Sequence, residues 1–403
     1  MTKRWTAALA VGLVLATLTA ACSSNKSSSS AASCSPGGTA LAPQQSGGAT
    51  RARLVSARTA HALANLTVDL ASSFQGTGLT GAGSTFVEPV YTKWFTDFRS
   101  VEPNAKINYQ AIGSGGGITD LQTKTVDFAD SDAPLQSADV QGLNGTKVLQ
   151  FPVVLGAVAI AYNLPGVQSG LKLDGPTVGD IFMGKVTKWN DPEIATLNPG
   201  VNLPSTSIQT VHRADESGTT FVFTSWLSRE CSAWASKVGA DKAVQWPNGT
   251  GGNGSDGVAA AISQTQGAIG YVEYQFAVTT KLGVADVKGK NSTDFVAPSV
   301  DSISAAGGAL KFPIAATTNV LNSRASGAYP ITSTTYFMSY QDLTPLGKDK
   351  AQTIVDLLKW MLTDGQNEVK DLNFAPLPSS VASQALSQIG QLTFQGQPLT
   401  PST

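Results

Sequence analysis

From Leu79 onward the apolar positions follow two different periods. Lys106–Gly113 reads as a short strand, and Phe151–Asn163 (FPVVLGAVAIAYN) is an almost unbroken apolar run, the pattern of a strand covered on both faces. Val87–Val101 places Val90, Trp94, Phe95 and Phe98 on one side of a helix, and Phe221–Glu230 and Thr353–Leu362 predict two more helices. Strands alternating with helices predict an α/β architecture with mixed or parallel sheets. No internal repeat is visible.

The first residues carry a different pattern. Lys3 and Arg4 precede an apolar run, Ala7–Ala21, that is too short to span a bilayer and ends in small residues before Cys22. Residues 1–21 therefore read as a signal peptide. Thr19-Ala20-Ala21-Cys22 resembles a bacterial lipobox, with Thr19 where Leu is usual; that resemblance implies a lipid on Cys22, palmitate included. Ser23–Ala32 is a Ser-rich tether. Within the 22–75 stretch, Leu63, Leu66 and Leu70 also predict a short docked helix in Thr50–Phe74.

The chain has 403 residues, 27 Lys+Arg against 28 Asp+Glu, and 14% charged residues, where soluble proteins average about 25%. That balance argues against nucleic acid as a partner. The length suits two domains plus extras, and 41% hydrophobic residues can furnish their cores. Two His and three Cys leave few ligands for a transition-metal site, so none is expected, and no cofactor. Cys34 and Cys231 could pair in an oxidising compartment. The Ser/Gly/Pro-rich surroundings of Cys34 favour two free thiols instead, and the sequence leaves both readings open.

Three turns rich in Gly, Ser and Thr each open a predicted helix: Thr80–Phe86 before Val87–Val101, Gly113–Gly117 before Ile118–Thr125, and Arg213–Thr219 before Thr220–Glu230. A helix N-terminus offers unpaired N–H groups and a partial positive charge, which suit an anion. Ordinary N-capping explains one such turn. Three, one with an arginine, point to convergence on an anion. Gly76–Gly81 also spells G-x-G-x-x-G, but no βαβ unit surrounds it, and no P-loop motif is present.

These segments, TGAGSTF, GSGGG, TVDFADSDAP (125–134), Lys188–Trp189, RADESGTTFVF (213–223), GAIGYVEY (267–274) and YPITST (329–334), closely resemble the phosphate-binding protein of the bacterial high-affinity phosphate ABC transporter, in the expected order. The resemblance runs from about Thr80 to the C-terminal region and leaves residues 23–75 uncovered. It implies an α/β Venus-flytrap fold, two lobes joined by two crossover strands: lobe I from 76–153 plus 329–403, lobe II from 154–328. The ligands it implies are Thr85, Phe86, Ser114, Asp132, Arg213, Ser217, Gly218 and Thr219, with Phe86 and Gly218 using backbone N–H. Arg213–Thr219 are expected on the first lobe or the hinge. Asp215 would hold Arg213, and Glu216 would point outward. The implied partners are inorganic phosphate, the permease subunits of the transporter and, through the lipid, the outer face of the cell membrane. A monomer is expected.

A carboxylate such as Asp132 fits an anion site only where the anion carries a proton. HPO₄²⁻ and H₂PO₄⁻ can donate to it; sulfate cannot, and a site demanding that hydrogen bond discriminates strongly. Other readings are a binding protein for another tetrahedral oxyanion, a surface adhesin or sensor, or a phosphatase using His212 as base. The sparse histidines argue against an enzyme.

Overall fold

The computed structural model describes residues 33–34, 78–290, 292–311 and 320–402. The signal peptide, Cys22, the tether and the Thr50–Phe74 helix expected from sequence lie outside these residues.

The described chain opens with β1 (Leu79–Gly83), α1 (Glu88–Val101), β2 (Ile107–Gln110), α2 (Ser114–Thr123), β3 (Phe128–Ser131) and α3 (Ser137–Gly142), then enters β4 (Val148–Tyr162). Beyond it come β5 (Gln209–Arg213), α4 (Gly218–Glu230), β6 (Thr250–Gly252), α5 (Gly254–Gln264), β7 (Ala268–Glu273), β8 (Thr332–Tyr340) and α6 (Lys348–Leu362). β1 lies parallel to both β2 and β3. β8 runs antiparallel between β3 and β4. On the far side, β7 pairs antiparallel with β4 and parallel with β5, which in turn pairs parallel with β6. The strand order is β2-β1-β3-β8-β4-β7-β5-β6.

β4 is the shared spine. Its first part, as far as Ala157, pairs with β8, and from Val158 to Tyr162 it pairs with β7. Every residue from Phe151 to Tyr162 is buried, so the run has no polar alternation to show. Pro152 sits in this strand opposite Tyr336, where the ladder slips between Thr335 and Tyr336. A proline has no N–H for a ladder, and the slip, which leaves Val153 of β4 unpaired against β8, absorbs the loss. The returning chain meets β4 where Val158 N–H donates to Ile331 O at 2.9 Å.

The helical stripe of α1 is real: Val90, Tyr91, Trp94, Phe95 and Phe98 are buried, and Trp94 and Phe98 meet Trp360 of α6 edge-on or tilted. On the other half, Val258 and Ile262 of α5 pack on Val211 and Val272. The parallel strands β1, β3, β5 and β6 deliver their C-terminal ends to one region, the place where open α/β sheets bind ligands.

Two expectations are corrected. The Gly113–Gly117 turn does not precede a helix; the helix starts inside it, at Ser114. Close packing explains this, since a Cβ on Gly117 would lie 2.4 Å from Ala82 O on β1. The free-thiol reading of Cys34 and Cys231 is also wrong, because the two form a disulfide. Cys34 is received by helix Gly175–Phe182: its N–H donates to Asp180 Oδ1 and Oδ2 at 2.9 and 3.0 Å. Gly179 leaves room for the sulfur, which a Cβ there would meet at 2.8 Å.

Candidate anion site

Arg213 ends β5 and is 4% exposed. Its Nε donates to Asp215 Oδ1 at 2.7 Å, and Nη2 makes a second, shorter contact to Oδ2. Asp215 also accepts Gly254 N–H, from the first residue of α5, at 3.1 Å. Burial alone would raise the Asp215 carboxyl, but the Arg213 hydrogen bond and charge outweigh it and hold the group below the usual range. The Arg213 N–H donates to Tyr271 Oη at 3.0 Å, and that oxygen lies 2.7 Å from Thr220 Oγ1. The arginine is thus fixed from both ends. Gly113 makes room for the pair: a Cβ there would lie 2.4 Å from Asp215 Oδ2 and 3.5 Å from Arg213 Nη2.

Asp132 follows β3 and is 2% exposed. Ser84 Oγ donates to its Oδ2 at 2.6 Å, and Thr335 Oγ1, on β8, donates to Oδ1 at 2.7 Å. Desolvation pushes this carboxyl up to about 6, against those two hydroxyls and the charge of Arg213, which lower it. Gly218, the first residue of α4, faces Asp132 across the site. A Cβ on it would lie 2.6 Å from Ser114 Oγ and 2.8 Å from Asp132 Oδ2. Ser114 Oγ and Thr219 Oγ1 are buried with no hydrogen-bond partner. An unpaired buried polar atom is costly, so two of them at two converging helix starts mark a place for a polar ligand.

The structure brings the other sequence-predicted residues to the same region, where they have protein partners. Ser217 caps α4, its Oγ accepting Thr220 N–H at 3.2 Å, and its own N–H donates to Lys242 O at 3.0 Å. Thr85 Oγ1 lies 2.9 Å from Ser255 Oγ and accepts Ser255 N–H at 3.1 Å. The Phe86 N–H, expected to face a ligand, donates to Ser84 Oγ at 3.0 Å. Turn geometry explains both pairings, since each group finds a protein hydroxyl within reach. Arg213 ends β5 and Gly218 and Thr219 open α4, so the whole turn belongs to the β5–α4 side of the sheet. Glu216 is exposed, as its position demands, and its carbonyl accepts Gly115 N–H at 3.0 Å. His212 stacks on Trp246 at 4.6 Å between centroids, with Nδ1 2.9 Å from Arg213 O. Sequence reasoning passed over Ser84, Thr335 and Ser255. The last sits in N-G-S-D-G (253–257), a Gly-rich helix start of the same design as the other three. Among the described residues no cluster of His, Cys, Asp or Glu could hold a metal ion.

A shared crossing strand, two half-sheets and a buried anion site of helix starts define a two-lobed binding protein, and residues 43–364 match the PBP superfamily domain. The chain is 39% identical to the phosphate-binding protein PstS of Xylella fastidiosa over 309 residues, 76% of this chain and 83% of that one. It is 38% identical to PstS of Pasteurella multocida over 329 residues, 81% of this chain and 94% of the other. The fold is also that of a human phosphate binding apolipoprotein, with a TM-score of 0.63 at 21% identity, over 80% of this chain and 100% of that chain. The chain belongs to the PstS phosphate-binding protein family.

Proposed function

We propose that this chain binds inorganic phosphate between its lobes and delivers it to the permease subunits of an ABC transporter, acting as a binding protein and not as an enzyme. The observation that carries the reading is the company Asp132 keeps. A buried carboxylate stands in a site with one arginine and the unpaired hydroxyls of Ser114 and Thr219. Such a site needs an anion that can both accept and donate hydrogen bonds, and protonated phosphate does both. Thr85, Phe86, Ser114, Asp132, Arg213, Ser217, Gly218 and Thr219 are the proposed contacts, with Thr85 and Phe86 exchanging their present partners for the ligand. His212, the base a phosphatase would need, is committed to Trp246 and a backbone carbonyl.

Further parts of the reading rest on sequence. Residues 1–21 act as signal peptide, Cys22 carries the lipid, and 22–75 tether a monomer to the outer face of the cell membrane. Lobe I comprises 76–153 with 329–403, and lobe II comprises 154–328. The change of partner along β4 at Ala157/Val158 supports a crossing near that boundary.

Calorimetric competition tests the function. Phosphate at pH 8 should be preferred over sulfate by at least a thousand-fold, an order-of-magnitude expectation for a site built around one obligatory hydrogen bond. Asp132 accepts fully only while ionised, so sulfate binding should strengthen as pH falls through about 6. Asp132→Asn, which can donate, should bring sulfate close to phosphate at pH 8. Comparable binding of the two anions by the wild type would refute the reading.

A further inference from the structure

Resting on the phosphate reading, we infer that Ser84 sets the anion selectivity of this site: its hydroxyl, buried in the β1–α1 turn, keeps Asp132 an acceptor by donating to it. The geometry aims that hydroxyl's proton at the carboxylate. Ser84 is 1% exposed, its Oγ accepts Phe86 N–H at 3.0 Å, and its single proton goes to Asp132 Oδ2 at 2.6 Å. The main chain of Ser84 is held as firmly. Its N–H donates to Asp130 O at 3.1 Å and its carbonyl accepts Tyr109 Oη at 2.9 Å. A hydroxyl that accepts an N–H on one lone pair and gives its only proton to a carboxylate acts there as a donor, and such a donor favours the charged form of the carboxyl it faces. Thr335 Oγ1 serves the other oxygen from β8, next to the slip in that strand's ladder with β4. Ser84 belongs to the phosphate-side turn itself. The ligand's own proton must share Asp132 with it, so Ser84 decides whether that carboxyl accepts or donates.

Asp132 has many charged and titratable neighbours, and each element packed on it contributes. Arg213 on β5 draws its titration down. Asp130 on β3, Glu273 on β7, Tyr91 on α1, Tyr109 on β2 and Tyr336 on β8 all feel its charge, and burial raises each of them. A variant that removes the Asp132 titration is therefore needed to assign a pH profile to this carboxyl and not to Asp130 or Glu273.

The experiment measures sulfate affinity and phosphate affinity from pH 4.5 to 8 for the wild type, Ser84→Ala, Ser84→Thr and Asp132→Asn. Losing one hydrogen bond to a charged acceptor should move the pH at which sulfate begins to bind upward by about one unit or more. At neutral pH the phosphate-over-sulfate ratio of Ser84→Ala should fall by roughly ten-fold. Ser84→Thr, which keeps the hydroxyl, should follow the wild type, and Asp132→Asn should bind sulfate without pH dependence. Ser84→Gly carries the same expectation as Ser84→Ala and replaces it if the alanine variant does not fold. A sulfate profile unmoved by removal of the hydroxyl, with phosphate still bound, overturns the proposal alone. Loss of all anion binding on removing the hydroxyl also overturns it, since Ser84 would then be shaping the turn. Failure of the wild type to bind phosphate overturns the parent reading instead.

Discussion

Ser114, Gly218 and Asp132 meet within the width of one methyl group, and each comes from a different element. Near-neutrality overall is compatible with the proposed site, in which one arginine and several oriented helix starts would supply the positive field. Gly218 opens α4 with no unusual φ, so its glycine is required by space and not by backbone conformation. Gly218→Ala should lower thermal stability, because the added Cβ would lie 2.6 Å from Ser114 Oγ and 2.7 Å from the Asp132 backbone N, and one of them must give way. Overpacking of about 1–3 kcal/mol should weaken phosphate binding by roughly ten- to hundred-fold. A titration showing wild-type affinity would place Gly218 outside the site. The local structure was legible in the chain: the S-G-T turn opens a helix directly after the strand that ends in Arg213. The pairings of Ser84, Thr85 and Thr335 were not, because side-chain partners 48, 170 and 203 positions distant leave no local pattern.

Among elements, periodicity exposed α1, β4 and α4, whose apolar stripes or runs are long. It did not expose that β4 serves two half-sheets, because a strand buried throughout looks the same whichever partner it has. Nor did it expose the ion pair of α3 with the segment after α4. Lys242 Nζ donates to Asp139 Oδ1 and Oδ2 at 2.7 and 2.6 Å, with side chains only 8% and 13% exposed. The same lysine's carbonyl takes the Ser217 N–H, so the pair ties the ligand turn of α4 to the β3 side. Asp139 is already committed to α3 through its bond from Gln136 N–H at 2.9 Å. A sheltered pair of this kind should oppose opening. Lys242→Met should speed phosphate release by on the order of ten-fold, about 1.4 kcal/mol, with little change in association. Asp139→Asn should do the same, and the double variant should be no faster than either single one. Stopped-flow release into a phosphate trap reads this; unchanged off-rates would reduce the pair to surface decoration.

At the scale of the whole molecule, the disulfide changes what the N-terminal segment does. Read as a sequence, Cys34 looked like part of a long leash, because nothing near it in the chain signals a docking partner. The partner lies elsewhere in the fold: Gly179 and Asp180 on one helix and Cys231 at the start of another, 197 positions from Cys34. On the proposed lipid anchor, the consequence is one of reach. Cys34 follows Cys22 by twelve positions, whereas Gly78, where β1 is about to begin, follows it by fifty-six. At roughly 3.5 Å per extended residue, the disulfide shortens the leash from about 200 Å to about 40 Å and fastens it to the α4 side of the molecule. A protease site placed between residues 35 and 77 separates the two attachments. On intact cells, cleavage should leave the binding domain on the membrane, and a reductant added afterwards should release it. Cys34→Ser should be released by cleavage alone. If cleavage frees the wild-type protein without reductant, the disulfide does not carry the tether; protein already in the supernatant before cleavage would instead rule out the lipid anchor.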